Sequence, residues 1–193
     1  MEIEMVMPTI VNNIEVADIF IYEDDNGQPG ALITSFQDVE PISQTQVSDY
    51  FNMPWYEVEL ELPSLLTLEG GAGGSKYWLG LFVTMGSDGA TANFWEVKTN
   101  GTTALTHTSM DQGETWDPSP SGFDGVFQVI GQCSQENMLP CEIVEAGNDF
   151  ENAEYGLNQK YIANDFDIAA GVTMEIEMVM PTIVNNIEVA DIF

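Results

Sequence analysis

Residues 55–62 read Trp55-Tyr56-Glu57-Val58-Glu59-Leu60-Glu61-Leu62, an alternation of period two. Tyr56, Val58, Leu60 and Leu62 fall on one side, and Glu57, Glu59 and Glu61 on the other. Successive side chains of an extended chain point to opposite faces, so this pattern is that of a strand with one buried face. Working outward, Met1–Met7 repeats the alternation, with Ile3, Met5 and Met7 opposing Glu2 and Glu4. Further strand candidates are 14–22, 31–36, 77–85, 93–98, 103–108, 126–130 and 161–168. Turn-forming runs separate them, among them Asp25-Asn26-Gly27-Gln28-Pro29-Gly30, Gly70-Gly71-Ala72-Gly73-Gly74 and Gly86-Ser87-Asp88-Gly89. No stretch has the 3.6-residue periodicity of an amphipathic helix. Many short strands punctuated by turns predict an all-β chain folded as a jelly-roll-like antiparallel β-sandwich.

The chain also repeats itself. Residues Met1–Phe20, MEIEMVMPTIVNNIEVADIF, recur letter for letter as Met174–Phe193, 173 positions later. Identity over that length points to a tandem repeat with a 173-residue period. Met1 then has an internal twin in Met174 and is not read as a translation start, so the absence of a leader says nothing about export. The alternating strand in the two copies, Ile3, Met5 and Met7 in one and Ile176, Met178 and Met180 in the other, is the predicted assembly element. Two identical segments compete for one place in one sandwich, which favours a head-to-tail array over a closed ring.

Composition bounds the rest. The 193 residues include 44% hydrophobic and 10% aromatic residues, enough for a packed core. Against 32 acidic residues stand only Lys76, Lys98 and Lys160, with no arginine, one histidine and a net charge of −29. Such a chain cannot neutralise phosphates, so nucleic acid is excluded as a partner. Charge of this size keeps an array soluble and extended and suits either saline surroundings or divalent cations. No apolar run reaches the roughly eighteen residues of a membrane-spanning helix, so no membrane insertion is expected. Cys133 and Cys141 lack zinc-ligand spacing. A local disulfide between them is preferred to a pair of reduced, buried thiols, and it would fit an oxidising, extracellular setting.

Five features are candidates for chemistry. Ser109-Met110-Asp111-Gln112-Gly113-Glu114-Thr115-Trp116 matches the S-x-D-x-G-x-T-W Asp-box of sialidases and many other β-proteins. Its Ser109, Asp111, Gly113, Thr115 and Trp116 are read as a structural turn, because sialidases grip their substrate carboxylate with arginines that this chain lacks. Glu23, Asp24, Asp25 and Asn26 gather oxygen ligands suited to calcium, the only cofactor suggested; the alternative is a plain hairpin turn. Asn164, Asp165 and Asp167 are a second such cluster, with a structural hydrogen-bonding role preferred. His107 stands without a Ser or Cys partner and is read as an ordinary strand residue. Trp55, Trp78, Trp95 and Trp116 are either core or a platform for surface glycans. No residue is assigned a catalytic role, and the chain is not expected to be an enzyme.

The run Ala163-Asn164-Asp165-Phe166-Asp167-Ile168-Ala169-Ala170-Gly171-Val172-Thr173 resembles the opening of bacterial extracellular jelly-roll modules. Ile21-Tyr22-Glu23-Asp24, Lys76-Tyr77-Trp78-Leu79-Gly80-Leu81, Phe94-Trp95-Glu96 and Val129-Ile130-Gly131-Gln132-Cys133 follow in the matching order. Together they resemble repeats of large surface proteins of Bacteroidetes-type bacteria exported by the type IX route. The resemblance implies that a module opens near Cys141 and closes near Cys133 of the following repeat. Residues 1–133 are then most of one module, 134–141 a junction carrying the cysteine pair, and 142–193 the opening strands of the next. The first strands missing from 1–133 have three possible sources: the preceding repeat, a neighbouring chain, or 142–173 folding back. The expected function is that of a structural, adhesive module of a cell-surface filament or giant adhesin, with identical repeats as neighbours. The alternative is a carbohydrate-binding module.

Overall fold

The structure is a computed structural model that describes residues 14–50, 53–85, 92–98, 106–119, 123–134, 138–145 and 153–186. Its elements are β1 (Ile14–Asp24), β2 (Pro29–Val39), β3 (Ser43–Tyr50), β4 (Met53–Glu69), β5 (Ser75–Met85), β6 (Ala92–Lys98), β7 (His107–Ser109), β8 (Asp117–Pro118), β9 (Asp124–Gly125), β10 (Phe127–Ser134), β11 (Met138–Glu145), β12 (Ala153–Gly156), β13 (Tyr161–Ile168) and β14 (Thr173–Asn186). One sheet has the order β2-β1-β5-β13-β7-β8. The other has the order β11-β10-β14-β4-β3, and β6 joins it by pairing with β14, β12 and β9. All pairings are antiparallel. The fold is all-β and sandwich-like.

The alternation at 55–62 does what its pattern demands. Tyr56, Val58, Leu60 and Leu62 are buried, whereas Glu57 and Glu59 are partly exposed and Glu61 fully so. They meet Ile19 and Ile21 of β1, Leu79, Leu81 and Val83 of β5, and Ile162, Phe166 and Ile168 of β13 in one core. From the same side as β4 come Trp95, Phe127, Val129, Met174, Ile176, Val179 and Ile183. Each fully buried apolar side chain contributes roughly 1.5–3 kcal/mol relative to exposure, and their number offsets the conformational entropy of ordering the strands.

Around β1, β5 and β13 the first sheet carries apolar side chains on both faces. On the face turned away from the core lie Phe20, Tyr22, Trp78 and Ala163, with Phe82, Trp116 and Tyr161 packed beside them. This is why β5 reads as a nearly continuous apolar run rather than an alternating one. The strand β4 runs past Pro63 to Glu69. Pro63 is tolerated because it sits in a register break, between the Met178–Glu61 and Ile176–Leu66 pairs, where the ladder asks for no amide hydrogen.

Strands from 138–186 enter the same two sheets as strands from 14–134. β13 lies between β5 and β7, and β14 lies between β10 and β4. Of the residues read as a junction, Ser134 ends β10 and 138–141 begin β11, and the two strands pair from Phe127–Glu145 to Ser134–Met138; 135–137 lie outside the described residues.

Candidate functional site

The place where the later segment joins the earlier one is built around β10. On one side β10 pairs with β11, and Cys133 and Cys141 are bonded diagonally across that strand pair with Cα atoms 5.6 Å apart. No free cysteine is present among the described residues. On its other side β10 pairs with β14, with one irregularity: Ile130 faces Met178, and Gly131 faces Ile176. Glu177 is the extra residue of a β-bulge. Gln132 Nε2 donates to Glu177 Oε1 at 2.8 Å and holds the bulged residue outward.

Gly131 makes the bulge possible. A Cβ at this position would lie 1.9 Å from the Glu175 carbonyl oxygen, so the two backbones approach more closely than any side chain permits. The bulge also corrects an expectation. Simple alternation puts Ile176, Met178 and Met180 on one inward face, but the inserted residue reverses the phase. Met174 and Ile176 are buried, Val179 and Ile183 take the inward places beyond the bulge, and Met178 and Met180 are only half-buried. Ile3, Met5 and Met7, the equivalent residues of the first copy, lie outside the described residues.

The two copies of the repeated segment are used in a divided way. Residues 174–186 supply its first thirteen positions to the core-forming sheet of β4, β10 and β14. Residues 14–20 supply its last seven positions to β1 in the opposite sheet. Asn186 pairs with Ala92, the first residue of β6, and Ile14 pairs with Met85, the last residue of β5. Gln44 of β3 pins the start of β1, accepting from the Ile14 amide at 2.9 Å and donating to its carbonyl at 3.0 Å. The described sandwich thus contains one full copy of the segment, assembled from two. No protein-family model, curated protein or solved structure matches the chain. The assembly geometry itself is therefore what the functional reading rests on.

The Asp-box residues form a tight turn after β7. Ser109 Oγ donates to Asp111 Oδ1 at 2.7 Å and accepts from the Gly113 amide at 2.8 Å. Asp111 also accepts from the Thr115 amide at 2.9 Å and from the Thr115 hydroxyl at 2.6 Å. Gln112 and Gly113 have φ of 63° and 85°, the left-handed conformation that the turn requires. Trp116 packs edge-on against Tyr22 at 5.3 Å, so the turn covers the outer aromatic face of the first sheet. Burial, with a smaller effect from Tyr161, pushes the Tyr22 hydroxyl up to about 12.

The hydrogen bond from the Thr115 hydroxyl, followed by those from Ser109 and the Thr115 amide, lowers the Asp111 carboxyl from 3.8 to about 2. A depressed folded-state value means that the turn's contribution to stability is present above about 3.8 and is lost as pH falls through about 2. We expect the side-chain carbonyl resonance of Asp111 to titrate with a midpoint near 2, and Thr115→Val to move that midpoint upward. A midpoint near 3.8 in the unaltered chain would show that these hydrogen bonds do not form in solution.

The proposed calcium turn is organised by its own hydrogen bonds. Asp24 Oδ1 accepts from the Gly27 amide at 3.1 Å and from Trp78 Nε1 at 2.9 Å. Asp25 Oδ1 accepts from Asn26 Nδ2 at 2.8 Å, and Glu23, Asp24, Asp25 and Asn26 are all exposed. Among the described residues no three His, Cys, Asp or Glu side chains converge as a metal site. Asp165 is bonded to Lys76 instead, and Asp167 lies 3.9 Å from the same ammonium group. Burial pulls the Lys76 pKa down, but its hydrogen bond to Asp165 and the charges of Asp165, Asp167 and Asp24 outweigh that and raise it.

Asn164 is buried and accepts from Thr106 Oγ1 at 2.5 Å and the Gly125 amide at 2.9 Å, tying three chain segments together. His107 is buried edge-on against Trp78 at 4.9 Å. Trp55, Trp78 and Trp95 are buried, and Trp116 is half-buried. Among the described residues no pair of exposed tryptophans forms a sugar platform.

Sequence reasoning missed Gly131, Gln132, Glu177 and Gln44. A glycine inside the apolar run Val129-Ile130-Gly131 was the one available sign, since glycine in a strand marks a bulge or a close backbone approach.

Proposed function

We propose that this chain is a structural, adhesive repeat module of an extracellular surface filament or giant adhesin, in which identical units join head to tail. The observation that carries the reading is the division of the duplicated segment: one sandwich takes residues 174–186 from one copy and 14–20 from the other. Identical segments fit identical places, so units of this kind connect through strand pairing. The net charge of −29 keeps neighbouring units apart and extended, and the disulfide fits an oxidising compartment. No helix among the described residues is long and apolar enough to cross a membrane. The resemblance to type IX-exported surface repeats points to the same setting.

Electron microscopy of the purified chain should show elongated, beaded particles that lengthen with protein concentration. Antibodies against it should label intact source cells. Compact particles at every concentration, together with labelling only after lysis, would overturn the reading. A second reading as a carbohydrate-binding module rests on Phe82 and Tyr161, half-buried on the outer face of the first sheet and stacked with ring centroids 4.8 Å apart. Aromatic faces of this kind bind sugar rings. A glycan array separates the two, since only the second reading expects specific binding that Tyr161→Ala removes.

A further inference from the structure

We infer that the segment from β11 to β14 of one chain also closes the sandwich of a second copy, and that the Cys133–Cys141 bond then becomes the covalent link between the two chains. This deepens the head-to-tail reading above and rests on it.

The topology separates the sandwich into two contiguous parts. Residues 14–134 supply β1 to β10, and residues 138–186 supply β11 to β14, with only 135–137 joining them in sequence. The second part occupies interior positions in both sheets: β13 pairs with β5 and β7, and β14 pairs with β10, β4 and β6. Every one of these contacts can be made equally well by the same residues of another chain. Closed and exchanged forms therefore make the same strand pairings and differ in their dependence on concentration, which is the condition for exchange between identical subunits.

The duplicated segment adds a reason specific to this sequence. The residues that follow Asn186 in sequence, Ile187–Phe193, are letter for letter Ile14–Phe20, the opening of β1. A segment arriving from a second chain therefore carries, in one continuous run, the residues for β14 and then those for β1. The first of those places ends beside Ala92, the first residue of β6, and the second begins beside Met85, the last residue of β5. In the described structure the same run is split between two copies of the segment.

The disulfide marks the exchange chemically. Cys133 belongs to the first part and Cys141 to the second, and they are bonded across β10 and β11. When β11 comes from a second chain, its Cys141 meets Cys133 of the recipient. Each such bond forms from two thiols, with the two protons and two electrons passing to oxidised glutathione, which leaves as two molecules of reduced glutathione. Intrachain bonding locks the closed unit, and interchain bonding locks the array.

The test uses two variants, Cys133→Ser and Cys141→Ser, each keeping one thiol and neither able to form the native bond within itself. They are unfolded together and refolded at low and high concentration with oxidised and reduced glutathione. The expected result is a shift from monomer to dimer mobility on a non-reducing gel that grows with concentration. Unlike dimers joined Cys133 to Cys141 should exceed their statistical share when mapped after Glu-specific cleavage. Monomer alone, or a statistical mixture of like and unlike dimers, overturns the inference. Should either variant fail to refold by circular dichroism, the unaltered chain decides. Refolded at high concentration it must give a ladder that collapses on reduction and holds no alkylatable thiol, and a single monomer band overturns the exchange. Elongated particles seen without any interchain bond would leave the head-to-tail reading standing and remove only this one.

Discussion

Replacing Gly131 by valine is expected to lower the unfolding free energy by about 3 kcal/mol or more, the upper end of what overpacking costs in a closely packed sheet. An added Cβ would lie 1.9 Å from the Glu175 oxygen, 2.8 Å from the Glu175 carbonyl carbon and 3.0 Å from the Ile176 Cα. All three are backbone atoms, so no rotamer change relieves the collision. The strands β10 and β14 must separate at the bulge, next to the bond that joins Cys133 and Cys141. Urea unfolding followed by tryptophan fluorescence measures the loss. Gly73→Ala is the control, because a Cβ there meets nothing within 4 Å, and it should change stability by less than about 0.5 kcal/mol. Equal midpoints for the two variants would mean that β10 and β14 do not approach as described.

What could be read from the sequence follows from how local each signal is. The strand at 161–168 was legible to the residue, and the core face of 56–62 was legible from its glutamates, because a strand with one wet face writes its period into the chain. The Asp-box turn was legible because Ser109, Asp111 and Thr115 bond to one another within a few residues. In contrast, β3 left no signal: Ser43-Gln44-Thr45-Gln46 is polar, as an edge strand that pairs on one side can be. The strand β11 carries no alternating period, since Met138-Leu139-Pro140-Cys141-Glu142-Ile143-Val144-Glu145 sets apolar residues side by side around a proline. Links such as Lys76 to Asp165 and Asn164 to Thr106 join residues 89 and 58 positions apart, a separation at which no pattern in one sequence reports contact. The bulge at Glu177 was the most consequential omission. One inserted residue leaves the composition unchanged yet moves every later side chain to the opposite face.

That reversal leads to the second large effect, the contrast between Val179 and Met180. Continued alternation from Ile176 would place Met178 and Met180 in the core and Val179 outside it. In the structure Val179 is fully buried, and Met180 is half-buried opposite Gln128. An aspartate at 179 would put an unpaired carboxylate among Val58, Leu60 and Val129, at a cost of about 4 kcal/mol or more. At 180 the same charge can reach water, and the expected cost is about 1 kcal/mol. Because residues 1–13 have the same letters as 174–186, the substitutions are made in both copies, Val6→Asp with Val179→Asp and Met7→Asp with Met180→Asp, so that no intact strand remains to replace the damaged one. The valine pair should abolish the cooperative melt or shift it far downward, and the methionine pair should retain it. Restoring valine at position 6 alone then asks whether the first copy can serve in place of the second. Recovery of the melt is expected if the thirteen letters, and not their position in the chain, are what the space between β10 and β4 selects. A severe methionine pair beside a mild valine pair would place the phase reversal elsewhere and move the inward face back to Met178 and Met180.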